Sequence, residues 1–160
     1  MTGREERVKQ ISGAMHIPDD EVALLAEIGE SLRTPAGETI VAEGDEGLHF
    51  WHVLSGTLRV SRSGEHVADI EAPCVIGEMA LFNQNVRTST VVTTSTCNMV
   101  RVNSRDFFPR VYHGDDGAVS LMARLGKTML ERIQSQAERD LESKLADNTA
   151  SADQVALHKR

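Results

Sequence analysis

The chain has 160 residues, 40% of them hydrophobic, and a net charge of −7. That length and apolar content suit one globular domain with a real core, and no run of about 18 apolar residues is present to span a bilayer. The acidic balance argues against nucleic acid as the main partner, because a phosphate backbone calls for a concentrated basic surface; one small anion could still be held by a local, enclosed arginine.

The chain opens on Met1 to Gln10, which is charged and lacks the apolar centre of a secretory signal. Residues 1–17 read as a charged helical segment in which Arg4, Arg7 and Lys9 alternate with glutamates as a solvated face. Pro18-Asp19-Asp20 gives a start signal, and Val22, Leu24, Leu25 and Ile28 then recur at helical spacing. From residue 31 to 103 the chain turns strand-like. Thr39–Val41, Phe50–Leu54, Thr57–Val60 and Val91–Thr94 carry β-branched and aromatic residues. Gly37, Gly44, Gly47, Gly56 and Gly64 punctuate them beside polar turn residues. Short strands at this spacing predict an antiparallel barrel or jelly roll.

Ser104 is expected to cap a short helix through Phe107 and Phe108 that breaks at Pro109. A long helix is predicted over residues 118–146, and residues 147–160, polar and poor in apolar groups, are expected to be a disordered tail. Within the helix Leu121, Leu125, Met129, Ile133, Ala137, Leu141 and Leu145 recur every four residues. Each step rotates the stripe by about 40°, so its proximal and distal parts must face different surroundings.

The densest chemistry lies from Ile76 to Thr90. Gly77 allows close approach of backbone to a ligand, and Glu78 can accept a hydrogen bond from a sugar hydroxyl. A short helical turn starting at Met79 and Ala80 offers N–H groups to an anion. Arg87 carries a planar fork of donors suited to phosphate oxygens, with the hydroxyls of Thr88 and Ser89 beside it. On an alternating strand Ser89 should point away from Thr88. Elsewhere the histidines at 16, 49, 52, 66, 113 and 158 form no metal signature, and neither a nucleophile elbow, a P-loop nor a zinc-protease motif occurs. Cys74 and Cys97 have no metal spacing and are expected to be buried, reduced thiols of a cytoplasmic protein.

In order, Pro35–Gly47, Phe50–Val60, Ile76–Leu81 and Arg87–Val91 resemble the cyclic nucleotide-binding domains of the catabolite activator protein and of protein kinase A regulatory subunits. The likeness spans about residues 18–146. Pro73 stands where a turn glycine is common, and Val86 replaces a frequent proline.

The resemblance implies a mainly β fold, an eight-stranded antiparallel β-roll flanked by helices, with the C-terminal helix over the base of the ligand. It implies no catalysis and no cofactor, with cAMP or cGMP as ligand. Arg87 would pair with the cyclic phosphate, Glu78 with the ribose 2′-OH, and the amides of Met79 and Ala80 would add donors behind Gly77. Thr88 would touch the phosphate or a syn guanine, while Arg132 and Gln136 fall near base-side contacts of the family. A parallel pairing of two C-terminal helices would make a homodimer. Too few residues follow that helix for a helix-turn-helix domain, and no channel helices are present. These features suggest a stand-alone sensor acting on an unidentified protein effector, or a sensor piece of something longer, without membrane insertion. Two other readings have the same fold: a sensor of another anion, such as cyclic di-GMP or a 2-oxo acid, and a scaffold that binds no nucleotide.

Overall fold

A computed structural model describes residues 3–82 and 86–158, with side chains through residue 150. Asn83, Gln84 and Asn85, inside the stretch that resembles the ligand cassette, lie outside the described residues, as do residues 159 and 160 of the expected tail. The element order is α1 (Gly3–Ala14), α2 (Asp19–Ile28), β1 (Glu30–Thr34), β2 (Thr39–Val41), β3 (His49–Ser55), β4 (Thr57–Arg62), β5 (Glu65–Glu71), β6 (Cys74–Ile76), a 3₁₀ turn (Glu78–Leu81), β7 (Thr90–Thr93), β8 (Cys97–Asn103), α3 (Ser104–Tyr112) and α4 (Asp116–His158).

The strands form two four-stranded sheets, ordered β1-β8-β3-β6 and β2-β7-β4-β5, with every pairing antiparallel. This is the β-roll that the glycine-punctuated strands imply. Val41, Trp51, Val53, Leu58, Ile76, Val91, Cys97 and Met99 come from both sheets and meet in one buried cluster. β3 is covered on both faces, which explains why Phe50 to Leu54 reads as a nearly continuous apolar run. Trp51 and Val53 turn into the roll, while Phe50 sits 5.4 Å from Phe107 of α3 in an edge-on contact.

One compact unit reaches to Ala123 and a second begins at Arg124, within α4. α1 belongs to the first unit: Ile11 is fully buried, and Arg7 Nε donates to the Ala26 carbonyl of α2 at 2.8 Å. In the same unit Ser120 Oγ donates to the buried Glu21 carboxylate at 3.1 Å, tying the first turns of α4 to α2.

Two local expectations need correction. Pro109 does not end α3, which continues to Tyr112. The helix is so short that the missing N–H removes only the bond to Arg105 in its first turn. Its far end is held by the His113 amide on the Pro109 carbonyl and by Arg110, which pairs with Glu27 and, at 3.1 Å, with Asp115. The cap is Asn103, whose side chain accepts from the Arg105 amide at 2.9 Å, rather than Ser104. α4 is the second correction, because it starts at Asp116 and runs through His158 across most of the expected tail. Residues 147–158 contain neither glycine nor proline, and their alanines, leucine and glutamine favour helix over coil. Among the described residues no helix is long and apolar enough to cross a membrane.

Candidate functional site

The site is organised around Arg87, whose position follows from pairing between two loops. The Arg87 amide donates to the Asp45 carbonyl at 2.8 Å, the Gly44 amide donates to the Arg87 carbonyl at 2.9 Å, and Val86 bridges Glu46. The cassette's arginine is thereby laid against the Gly44–Gly47 turn.

Its side chain runs inward and is only 6% exposed. Nη1 donates to the Gly77 carbonyl at 3.0 Å and Nη2 to the His49 carbonyl at 2.9 Å. The guanidinium carbon lies 5.3 Å from the centroid of the Trp51 ring. A Cβ on Gly47 would stand 2.0 Å from that carbon, so only a glycine admits the guanidinium there. Gly77 has φ of +82°, in the left-handed region, and a Cβ on it would stand 2.9 Å from Trp51 Cζ3 and 3.0 Å from Arg87 Nη1. Burial pulls the Arg87 pKa down from its ordinary value by removing water from the cation.

Arg87 and Trp51 line a cavity of about 400 Å³ together with Ile40, Val41, Leu48, His49, Gly47 and the carboxylate-bearing Asp45 and Glu46. This is within the range of about 300–1,000 Å³ usual for small-molecule sites. His49 is also shifted: burial first, then the nearby Arg101 and Arg87 cations, lower its pKa below 6.5, while Glu30 and Asp106 oppose the shift.

The remaining expected residues fall in several places. Glu78 is fully buried at the start of the 3₁₀ turn directly after Gly77, and it does not line that cavity. Met79 is half-buried and Ala80 buried in the same turn. The Ala80 amide donates at 3.4 Å to the Gly77 carbonyl, which Arg87 also uses. Thr88 and Ser89 are half-buried, and Arg62 of β4 reaches both: its Nε donates to the Thr88 carbonyl at 3.2 Å and its Nη2 to Ser89 Oγ at 3.3 Å. Arg132 and Gln136 lie on α4 in the second unit, where Gln136 donates to Asp140 at 2.9 Å and accepts from Arg139 at 2.8 Å. The structure therefore brings Gly77 and Arg87 together and adds residues not singled out as site members: Gly47, His49, Trp51 and Arg62. The spacing of Gly44 and Gly47, and the His49/Trp51 alternation on one strand, were the sequence signals that could have found the first three. Among the described residues no cluster of metal-ligating side chains occurs.

Comparison with known proteins gives a consistent picture. The model of the cyclic nucleotide-binding domain matches residues 32–109. The chain is 28% identical over 111 residues to the cAMP-dependent protein kinase regulatory subunit of Dictyostelium discoideum, covering 64% of this chain and 34% of that protein. It is 25% identical over 112 residues to a Drosophila melanogaster cGMP-dependent protein kinase, covering 65% of this chain and 10% of the relative. The chain thus spans about a third of the length of one relative and about a tenth of the other. Its fold is that of a cyclic nucleotide-binding domain from Methylobacillus flagellatus, with a TM-score of 0.71 at 18% identity over 88% of this chain and 83% of that one. A β-roll with an arginine drawn in beside the glycine of its 3₁₀ turn, and a family match that includes both, place residues 32–109 in one family: this chain carries a cyclic nucleotide-binding domain.

Proposed function

We propose that the chain is a sensor of a cyclic mononucleotide, cAMP or cGMP, which binds in the cavity beside Arg87 and acts without catalysing a reaction. The observation that carries this reading is the state of the Arg87 guanidinium. It is buried, its orientation is set by two backbone carbonyls, and it faces a cavity of ligand size. Two of its five N–H donors are used in this way, leaving three for phosphate oxygens among the described residues. Glu78 directly follows Gly77 but is buried outside that cavity, so it would turn toward the ligand on binding to accept the ribose 2′-OH, and the Met79 amide would add a donor. Thr88 would lie beside the phosphate, with Ser89 and Arg62 bracing the outgoing strand.

Binding would act on a protein effector through α4, with Arg132 and Gln136 as candidate contacts to the base. A ligand shifts such a helix only by its difference in affinity between two helix positions. The exposed apolar residues Leu130, Ile133, Leu141 and Leu145 support a protein contact along distal α4, either with a second copy of the chain or with the effector.

Displacement of a fluorescent cyclic nucleotide tests the ligand class. cAMP or cGMP should compete, while cyclic di-GMP and pyruvate should not, and 2′-deoxy-cAMP should be weaker by about 1.5–3 kcal/mol through loss of a hydrogen bond to a charged acceptor. Competition by cyclic di-GMP alone, or no binding of the probe at all, would overturn the reading. Molecular mass with and without ligand tests the homodimer.

A further inference from the structure

A guanidinium that must meet a phosphate gains from being oriented before the ligand arrives, since ordering a long side chain on binding costs affinity. In this chain the Gly77 and His49 carbonyls fix two N–H groups of Arg87, and the Trp51 indole lies alongside, 5.3 Å from centroid to guanidinium carbon. Trp51 is 8% exposed and Arg87 6%, so the contact is largely removed from water, where attraction between a cation and an indole face is strongest. Gly77 is the meeting point, with the positions around its α-carbon open to both the indole and Nη1.

We infer that Trp51 is the positioning residue of the anion site: its indole face holds the Arg87 guanidinium in the orientation that presents the remaining N–H groups to the ligand. This inference rests on reading the cavity as the cyclic nucleotide site. Trp51 also packs in the core of the roll with Val53, Ile76 and Met99. The core role predicts an effect on stability alone, whereas positioning predicts a loss of affinity that follows the phosphate and leaves the choice of base unchanged.

Trp51 is the only tryptophan in the chain, so its emission reports on that ring alone. In nucleotide-free protein, Arg87→Ala should change the emission intensity or maximum while Arg87→Lys changes it less. Identical spectra in all three proteins would overturn the contact regardless of what binds. Affinities for cAMP and cGMP are then compared in Trp51→Phe and Trp51→Met, with thermal melts confirming that each is folded; methionine keeps apolar bulk without an aromatic face. Phe should retain affinity within about threefold of wild type, and Met should weaken both nucleotides by about tenfold. The cAMP-to-cGMP ratio should stay constant. Equal affinity in the Phe and Met variants, or a changed ratio, would overturn positioning, the latter in favour of a direct contact with the base. If wild type bound neither nucleotide while the emission responded to Arg87→Ala, the reading of the site would fail and the indole–guanidinium contact would stand.

Discussion

Arg87 is a charged side chain with 6% of its surface exposed, whereas Leu130, Ile133, Leu141 and Leu145 of α4 are apolar side chains about half exposed, at 47–58%. Each reverses the usual partition, in which charges stay in water and large apolar groups leave it. The reversals have different physics. A buried cation is tolerable where acceptors stand fixed around it, and Arg87 has two carbonyls and an indole face. The exposed apolar residues of distal α4 have no such compensation inside their own unit, and the proposed function gives them a partner surface to meet. Leu121 is fully buried in the first unit, whereas Leu141, in the second, is 58% exposed on a stretch of helix whose residues are exposed nearly all round. Under the proposed function the cassette would receive a small anion, and the distal helix would meet a macromolecule.

Adding one methyl group inside the cradle should break the first half of the comparison most sharply. In Gly47→Ala the new Cβ would stand 2.0 Å from the guanidinium carbon, so Arg87 must swing out of the cradle. Because the end of a flexible side chain moves and not the backbone, the melting temperature should change little. Cyclic nucleotide affinity in the displacement assay should fall by about 2–5 kcal/mol, the range for losing a buried charged partner. Gly77→Ala comes next. Its φ of +82° costs any other residue about 1–2 kcal/mol, and the indole lies in the way, so chemical denaturation should show lower stability as well as weaker binding.

The cassette was legible in the sequence because its chemistry resides in residue types at fixed spacing: a glycine and a glutamate, then an arginine, between strand-like runs. Its cradle was not. Gly47 read as one turn glycine among several and Trp51 as an aromatic strand residue. That they meet Arg87 depends on the Gly44–Gly47 turn pairing with Val86 and Arg87, a contact between loops distant in sequence. The His49 carbonyl could not be anticipated at all, since a backbone acceptor leaves no mark on residue type. The strands at residues 39–41, 49–55, 57–62 and 90–93 followed their β-branched and aromatic content closely. The helices misled at their ends, where Pro109 and the polarity of residues 147–158 suggested stops that local packing and helix propensity overrode.

A smaller effect concerns pH. The His49 pKa lies below 6.5 in the folded chain, so as pH falls through 6.5 the unfolded chain takes up the proton first and stability declines until the folded value is passed. Melting temperatures from pH 7.5 to 5.5 should therefore drop more in wild type than in His49→Asn. A parallel course would remove His49 from the account. The least effect should come from the other half of the comparison. Leu141→Ala with Leu145→Ala, both at exposed positions, should change the stability of the monomer by no more than about 0.5 kcal/mol. The same pair should lower the molecular mass if a second copy covers that face.

The central claim is that Arg87 is the anion-binding group of a cyclic nucleotide site. Calorimetric titration of wild type and Arg87→Ala with cAMP and with cGMP tests it most directly. Saturable heat with at least one nucleotide, weakened by about 2–5 kcal/mol in the variant, is the expected result. Equal affinity in the two proteins, or no heat from wild type with either nucleotide, would contradict it.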